Sequence, residues 1–394
     1  MKIAVLTSGI LPVPAVQGGA VENLIDFYLE YNGQYHLHDI TVYSVWHPDV
    51  SKHPALQEYC NHYHYIDTSS LWAKIRRKAY GLLHRHEYYN YYIEYYFERA
   101  WQHIGKQHYD AILLENRPGY AYKLSRRGTS NLVLHLHNDL LNSATPRHQE
   151  VFKSLSRILT VSDYIKSRVA TIAQSDKVMT IHNGICLDSF TPKAVPAVTR
   201  QDLGFSDTDF VLVYNGRLNK EKGISELIDA MLLLQDIPNI KLMIIGSTFF
   251  GNAVNEDDFV RSLKAKAQAI RERLVFTGFV PYHQVPDYLH TADLAVLPSI
   301  WEEPFGLTVA EAQAAGLPII TTRRGGIPEV VTSKNAVLLD IGEHFGAHLA
   351  DAIRQLYQSP QQCSLMAASA LQHAASYDKV RYASDFFNAI ESLS

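Results

Sequence analysis

The chain has 394 residues, 47% of them hydrophobic and 19% charged, with a formal net charge of −4. That length suits two domains, each large enough to bury a sizeable core. The charge excludes a strongly basic nucleic-acid binder. The three scattered cysteines exclude a disulfide scaffold and read as free thiols in a reducing compartment. No run approaches the ~18 apolar residues that cross a bilayer.

"KIAVLTSGI" opens the chain as a short apolar run. A Gly18-Gly19 loop follows, then "AVENLIDFYLEY" with apolar residues at helical spacing. This is strand, loop and helix, and the first run is read as a buried strand rather than a signal peptide. The runs "ITVYSV", "YHYID", "YDAILLE", "NLVLHLH", "RILTVS" and "KVMTIHNG" come next. Most are continuously apolar, as parallel strands covered on both faces are. Helical segments separate them, which predicts a doubly wound sheet over residues 1–190. This half carries a net +2 and 14 of the 19 histidines, against −6 in the remainder. The bias is compatible with a charged acceptor or an anionic surface.

Residues 191–204, "TPKAVPAVTRQDLG", contain two prolines and no periodicity, and read as a linker. The alternation then restarts over residues 205–376. "FVLVYNGR", "IKLMIIG", "LVFTGFV", "LAVLPS" and "PIITT" read as strands; "SELIDAMLLL", "FVRSLKAKAQAI", "VPDYLHTA" and "LTVAEAQAAG" read as helices. The last stretch reads as two helices, the second over 377–394. The fold class expected is therefore α/β, with two Rossmann-like parallel-sheet domains facing a central cleft. Ligands in such sheets bind outside the carboxyl ends of the strands. Many activities share this outline.

Three features could assemble an anion site. Gly18-Gly19 opens a helix, where backbone amides can approach a phosphate; a plain turn would look the same. "NGRLNKEKGI" places Arg217 and Lys222 after a strand, either as cations for a diphosphate or as a solvated loop. In "SIWEEPFGLTVAEAQAAGLP", Pro304 and Gly306 predict a helix start near 305–307 with unpaired first amides. Glu303 then stands before those amides, where it could hold sugar hydroxyls, and Glu311 stands inside the helix, where it could hold a ribose. The alternatives are an acid stabilised by the helix start and a solvated helical residue. His135 and His137 share one face of a strand, but no carboxylate or cysteine partner is identifiable in the sequence, so zinc is not expected. "DTD" at 207–209 and "EDD" at 256–258 read as local caps rather than metal ligands.

"EPFGLTVAE" resembles the E-x7-E signature of retaining glycosyltransferases of GT-B fold, specifically glycosyltransferase family 4. "NGRLNKEKG", "GGAVE", "LHLHND", "TVSDYIKSRV", "IHNGICLDSF", "FTGFVPYHQVPDYLHTADLAVLPS" and "GLPIITTRRGGIPEVV" are similar to further segments of that family, in its order. The resemblance covers nearly the whole chain and is weakest over 45–110.

The resemblance implies a first domain for the acceptor, a second for a nucleotide-sugar donor, and a final helix returning to the first. Arg217 and Lys222 would bind the donor diphosphate, Glu303 the sugar and Glu311 the nucleotide ribose. Amides of Phe305, Gly306 and Leu307, with Gly18 and Gly19, would surround phosphate and sugar. Gly278 and Val280 would hold the base. His137 would sit near the transferred sugar. The catalytic group would be His137, Arg217, Lys222 and Glu303. Front-face substitution, with the leaving phosphate taking the acceptor's proton, needs no enzymic nucleophile. No metal and no cofactor are expected, since the nucleotide sugar, a UDP-sugar by expectation, is a substrate.

Two segments stand outside those motifs. In "ENRPGYAY", Arg117 and Tyr120 follow a strand end and would recognise the acceptor, together with His137 and Asn138. In residues 72–101, Lys74, Arg76, Arg77 and Lys78 lie beside apolar residues. The first reading is a helix with a solvated basic face and tyrosines packed on its domain. The other is peripheral contact with an anionic membrane. The expected reaction is transfer to a glycan, lipid-linked or other glycoconjugate acceptor in surface polysaccharide or lipopolysaccharide synthesis, in the cytoplasm or at the inner membrane face. A nucleotide-sugar 2-epimerase and a non-catalytic sugar-nucleotide binder are the alternatives.

Overall fold

The computed structural model describes residues 1–53, 60–83, 88, 90, 93–247 and 258–392. Glu256 and Asp257 of the acidic run and residues 84–87, 89, 91 and 92 of the basic segment lie outside the described residues. The chain divides into two compact units, Met1–Gly184 with Lys379–Ser394, and Ile185–Asp378.

The first unit runs β1 (Lys2–Leu6), α1 (Ala20–Tyr35), β2 (Asp39–Val45), β3 (Asn61–Ile66), α2 (Leu71–Leu83), α3 (Glu94–Ile104) and β4 (Ala111–Glu115). It continues with α4 (Pro118–Ser125), β5 (Leu132–Leu136), α5 (His148–Ser154), β6 (Leu155–Thr160), α6 (Asp163–Ala170) and β7 (Val178–Thr180). Its sheet has the order β3-β2-β1-β4-β5-β6-β7, with every strand pair parallel. β4 and β5 are buried along their whole length, which is why they read as apolar runs without alternation.

The second unit runs β8 (Phe210–Asn215), α7 (Ile224–Leu233), β9 (Ile240–Ile245), α8 (Asp258–Lys266), β10 (Leu274–Gly278), α9 (Val285–Leu289) and β11 (Leu294–Leu297). It continues with α10 (Leu307–Ala314), β12 (Ile319–Thr322), α11 (Ile327–Val330), β13 (Ala336–Leu339), α12 (Phe345–Tyr357) and α13 (Pro360–Ala374). The parallel sheet order is β10-β9-β8-β11-β12-β13. Strand β13 and helix α12 were not read from the sequence. Strand β13 is only four residues long, and its neighbour β12 supplies the pairing that defines it.

The boundaries differ from those expected at 190 and 376. Residues 185–204 belong to the second unit instead of linking two bodies. The Ile185 amide donates to Tyr377 O at 2.7 Å, His290 Nε2 to Phe190 O at 3.0 Å, and Arg200 Nη2 to Asp293 Oδ1 at 2.7 Å. Prolines and missing periodicity mark irregular chain, and irregular chain can still be tied down by side-chain bonds.

The last helix, α14 (Lys379–Glu391), is part of the first unit. Its Tyr382, Ala383, Phe386, Phe387, Ala389 and Ile390 are buried, and the Phe386 ring stacks on Tyr28 of α1 at 4.2 Å. Without α14 the outer face of α1, with Ile25, Tyr28 and Leu29, would lose its cover.

Candidate functional site

In each sheet the strand order reverses beside the first strand, between β1 and β4 and between β8 and β11. The carboxyl ends on either side of such a reversal leave a crevice, because the following chains depart in opposite directions.

In the second unit this brings the loop after β8 against the loop after β11. The amides of Ile300 and Trp301 both donate to Glu221 O, at 2.9 and 3.1 Å. Gly223 has φ +71°, and a Cβ there would stand 1.8 Å from Pro298 O. Only glycine lets the two backbones meet this closely. Helix α10 starts at Leu307, with Gly306 before it. Its first amides have no acceptor behind them in the helix.

Glu303 is buried, and its Oε1 accepts from Ser299 Oγ at 2.7 Å and from Lys222 Nζ. The sequence supplied both charged partners but not Ser299. Lys222 also lies 6.0 Å from the Trp301 ring centre. Arg217 is exposed, and its carbonyl accepts from the hydroxyl of Tyr214 at 2.9 Å. Glu302, next to Glu303, points elsewhere and takes Arg324 Nη1 at 2.7 Å. Thr308 and Tyr214, which sequence reasoning passed over, line the same small cavity as Lys222 and Glu303.

Glu311 is not a solvated helical residue. It is buried, with Asn215 Nδ2 donating to Oε2 at 3.1 Å. Burial pushes its carboxyl up to about 7, against hydrogen bonds from Tyr282 and Asn215 that pull the other way. Phe305 is buried with its ring edge-on to Tyr377. Val280 is nearly buried, and the Gly278 carbonyl accepts from the Gly246 amide at 3.0 Å. Asp207 and Asp209 accept from Gln201 Nε2 and the Ser206 amide, both at 2.8 Å, and Asp258 pairs with Arg261.

In the first unit, Gly18 and Gly19 both have positive φ, and Gly19 precedes α1. A Cβ on Gly19 would stand 2.3 Å from Glu22 Oε2, so the glycine loop lies on a carboxyl group. Burial raises the pKa of that carboxyl, and Ser8 Oγ donates to it at 3.3 Å. Arg117 is half-buried and its Nε donates to Ser8 O at 3.2 Å.

Tyr120 corrects the expectation. It is fully buried, its hydroxyl donates to Ser8 O at 3.3 Å, and its ring stacks on Phe97. It can shape the loop but cannot meet an acceptor. Asn138 is half-buried directly after His137.

The histidine pair also corrects the expectation. A carboxylate partner does exist, at the end of β4. Glu115 Oε2 lies 2.8 Å from His137 Nε2 and 3.3 Å from His135 Nδ1. Among the described residues these three could supply a metal's two imidazoles and one carboxylate. Here they contact one another directly. Strand pairing across β4 and β5 sets Glu115 opposite His135, and sequence distance hides it.

Residues 197–373 match the family described as glycosyl transferases group 1. Over 99% of its length the chain is 28% identical to the putative glycosyltransferase YtcC of Bacillus subtilis, covering 91% of that protein. It is 26% identical to the lipopolysaccharide 1,2-N-acetylglucosaminetransferase of Salmonella typhimurium, over 56% of this chain and 57% of that one. The Anabaena protein Alr3699/HepE, solved in complex with UDP-glucose, has a similar fold, with a TM-score of 0.74 at 23% identity over the full length of both chains. Two parallel Rossmann-like sheets give the chain the GT-B fold, and the glycosyl transferases group 1 match over most of the second unit, with a similar putative glycosyltransferase along nearly the whole chain, supports a transferase enzyme.

Proposed function

We propose that the chain is a retaining transferase of glycosyltransferase family 4. It would move a sugar from a UDP-sugar to a glycan or lipid-linked acceptor, without a metal and without a covalent intermediate. The observation that carries this reading is the meeting of Lys222, Glu303 and the open amides of α10 at the strand reversal of the second unit.

Breaking the sugar–phosphate bond develops negative charge on the departing diphosphate. Arg217, Lys222 and the amides of Gly306 and Leu307 would stabilise that growing charge. The Lys222–Glu303 pair is the resting arrangement. On donor binding Lys222 would turn to phosphate and Glu303 to the sugar hydroxyls. Glu311 would hold the ribose, and Gly278 with Val280 the base. On the first unit Gly18, Gly19, Arg117, His137 and Asn138 would meet sugar and acceptor. The leaving phosphate would take the acceptor's proton as the new bond forms on the same face of the sugar.

The UDP-glucose complex of the Anabaena neighbour supports the donor class, and the Salmonella relative's name supports a surface-glycan setting. Helix α2 supports work at the inner face of a membrane. It exposes Leu71, Trp72, Ile75 and Leu82 beside Lys74, Arg76 and Lys78, rather than a purely polar face. No helix among the described residues is long and apolar enough to cross a membrane.

Thermal unfolding with UDP, GDP, ADP and CMP in EDTA tests the donor site. A diphosphate at 100 times its Kd adds about 2.7 kcal/mol. UDP should stabilise the wild type, and Lys222→Ala should lose that gain, along with ~100–1,000-fold in transfer rate. An inverted anomeric configuration in the product would overturn the retaining mechanism. Loss of sedimentation with anionic vesicles on Trp72→Glu would support the membrane contact, and its persistence would remove α2 from it.

A further inference from the structure

Strand β3 ends at Ile66, and the chain beyond it turns into α2. Between that turn, α2 and α3 lies a cavity of about 330 Å3, lined among others by His64, Tyr65, Trp72, Arg76, Tyr95 and Arg99. Small-molecule sites occupy ~300–1,000 Å3. The cavity stands at the carboxyl end of β3, on the edge of the sheet where ligands bind. In the sheet order β3 is two strands from β1, about 10 Å at ~4.8 Å per strand.

The charges on its wall are unbalanced. Arg76 comes from α2 and Arg99 from α3. The two acids of α3 are engaged by other cations, Glu94 by Lys123 Nζ at 2.6 Å and Glu98 by Arg127 Nη2 at 2.5 Å. Arg99 donates to a neutral partner, Gln102 Oε1, at 2.7 Å, and Arg76 has no ion-pair partner among the described residues. One carboxylate, Asp67, lines the cavity, but its Oδ1 accepts from the amides of Ser69 and Ser70 at 2.9 and 3.0 Å and so ties down the turn before α2. The His64 ring stacks on His103 at 4.3 Å and adds a further hydrogen-bonding nitrogen.

Two guanidiniums without an acid attract an anion, and their forked donors suit phosphate oxygens. A phosphate monoester carries nearly two negative charges at neutral pH, which matches two cations better than a single carboxylate does. Tyr65, Trp72 and Tyr95 give the remaining wall flat, largely apolar faces on which a sugar ring can lie.

We propose that this cavity is a subsite for a phosphoryl group carried by the acceptor, held by Arg76 and Arg99. The proposal rests on the transferase reading and names the acceptor's chemical class, a phosphorylated saccharide. Two strands separate the cavity from the crevice at β1, so it holds a second group of the acceptor and not the reacting hydroxyl.

Calorimetric titration of the full chain in saturating UDP, with glucose 6-phosphate and with glucose as its control, reads the subsite apart from the donor site. Glucose 6-phosphate should bind more tightly than glucose. Arg99→Ala and Arg76→Ala should each weaken that binding about tenfold, and salt should weaken it further. Both variants should keep the thermal shift with UDP, which shows that they fold. Sedimentation with phosphatidylcholine vesicles, with and without phosphatidic acid, tests a lipid source. Arg99 lies on α3, away from the exposed apolar residues of α2, so its loss separates the cavity from a general membrane contact. Binding of phosphatidic acid vesicles that falls in Arg99→Ala assigns the phosphoryl group to a lipid-linked acceptor. Dependence on Arg99 with glucose 6-phosphate alone assigns it to a soluble sugar phosphate. Indifference of both probes to Arg99→Ala, or tighter binding of glucuronate than of glucose 6-phosphate, would overturn the proposal. If UDP fails to stabilise the chain, the transferase reading falls, while the titration still decides whether the cavity takes a phosphoryl group.

Discussion

Glu115 in the first unit and Glu311 in the second are equivalent by burial and opposite in charge preference. Both are nearly inaccessible, and both stand near the carboxyl ends of central strands. One is held down at about 2, the other pushed up to about 7. The difference lies in their neighbours. Glu115 faces two imidazoles and a phenol, whereas Glu311 has one amide and one phenol against the full cost of leaving water. Depth alone does not fix the charge of a buried acid; the donors arranged around it do.

The largest effect expected from breaking this comparison comes from Phe386→Ala. It removes the ring stacked on Tyr28 and the cover over His135. Truncating a buried phenylalanine costs about 3–5 kcal/mol, read by denaturant unfolding. A loss below about 1 kcal/mol would mean that α14 does not complete the core behind Glu115.

Replacing each acid by its amide should move stability in opposite directions. The pKa of folded Glu115 lies below its unfolded value, so its contribution is present above ordinary carboxylate pKa values and is lost as pH falls toward 2. Glu115→Gln should therefore cost about 3 kcal/mol at neutral pH. The pKa of folded Glu311 lies above its unfolded value, so its penalty is absent in acid and grows as pH rises toward 7. Glu311→Gln should stabilise the chain by about 3 kcal/mol at pH 8 and by little at pH 4. Equal signs for the two variants would break the comparison.

The smallest effect belongs to an exposed acid on the same helix as Tyr28. Lys379 pairs with Glu30 at 2.8 Å, and Glu30 is 60% exposed. Lys379→Ala should cost less than about 1 kcal/mol and fade in salt. A larger, salt-insensitive loss would show a packing role for the lysine stem.

Most strands were legible because covered parallel strands are written as unbroken apolar runs, "AILLE" and "LVLHL" among them. Lys222 and Glu303 were both singled out in the sequence, but their ion pair was not, because only the sheet order sets the loop after β8 against the loop after β11. Glu115 was not, because its three partners stand at positions 28, 135 and 137, and only the sheet order brings them together. Tyr120 misled for a related reason. Its place after a strand end suggested access, and the face of α4 on which it lies is the packed one.

The first unit is built from the two ends of the chain. While the ribosome is still making the second unit, α1 has no α14 to cover Ile25, Tyr28 and Leu29. Synthesis proceeds from the N-terminus and domains fold as units, so here the later body can finish first. The first would wait with apolar surface open until the final 16 residues, Lys379–Ser394, leave the exit tunnel. A premature stop just before Lys379 would release a chain with a complete second unit and an uncovered first one, a natural target for chaperones and proteases rather than a protein with reduced activity.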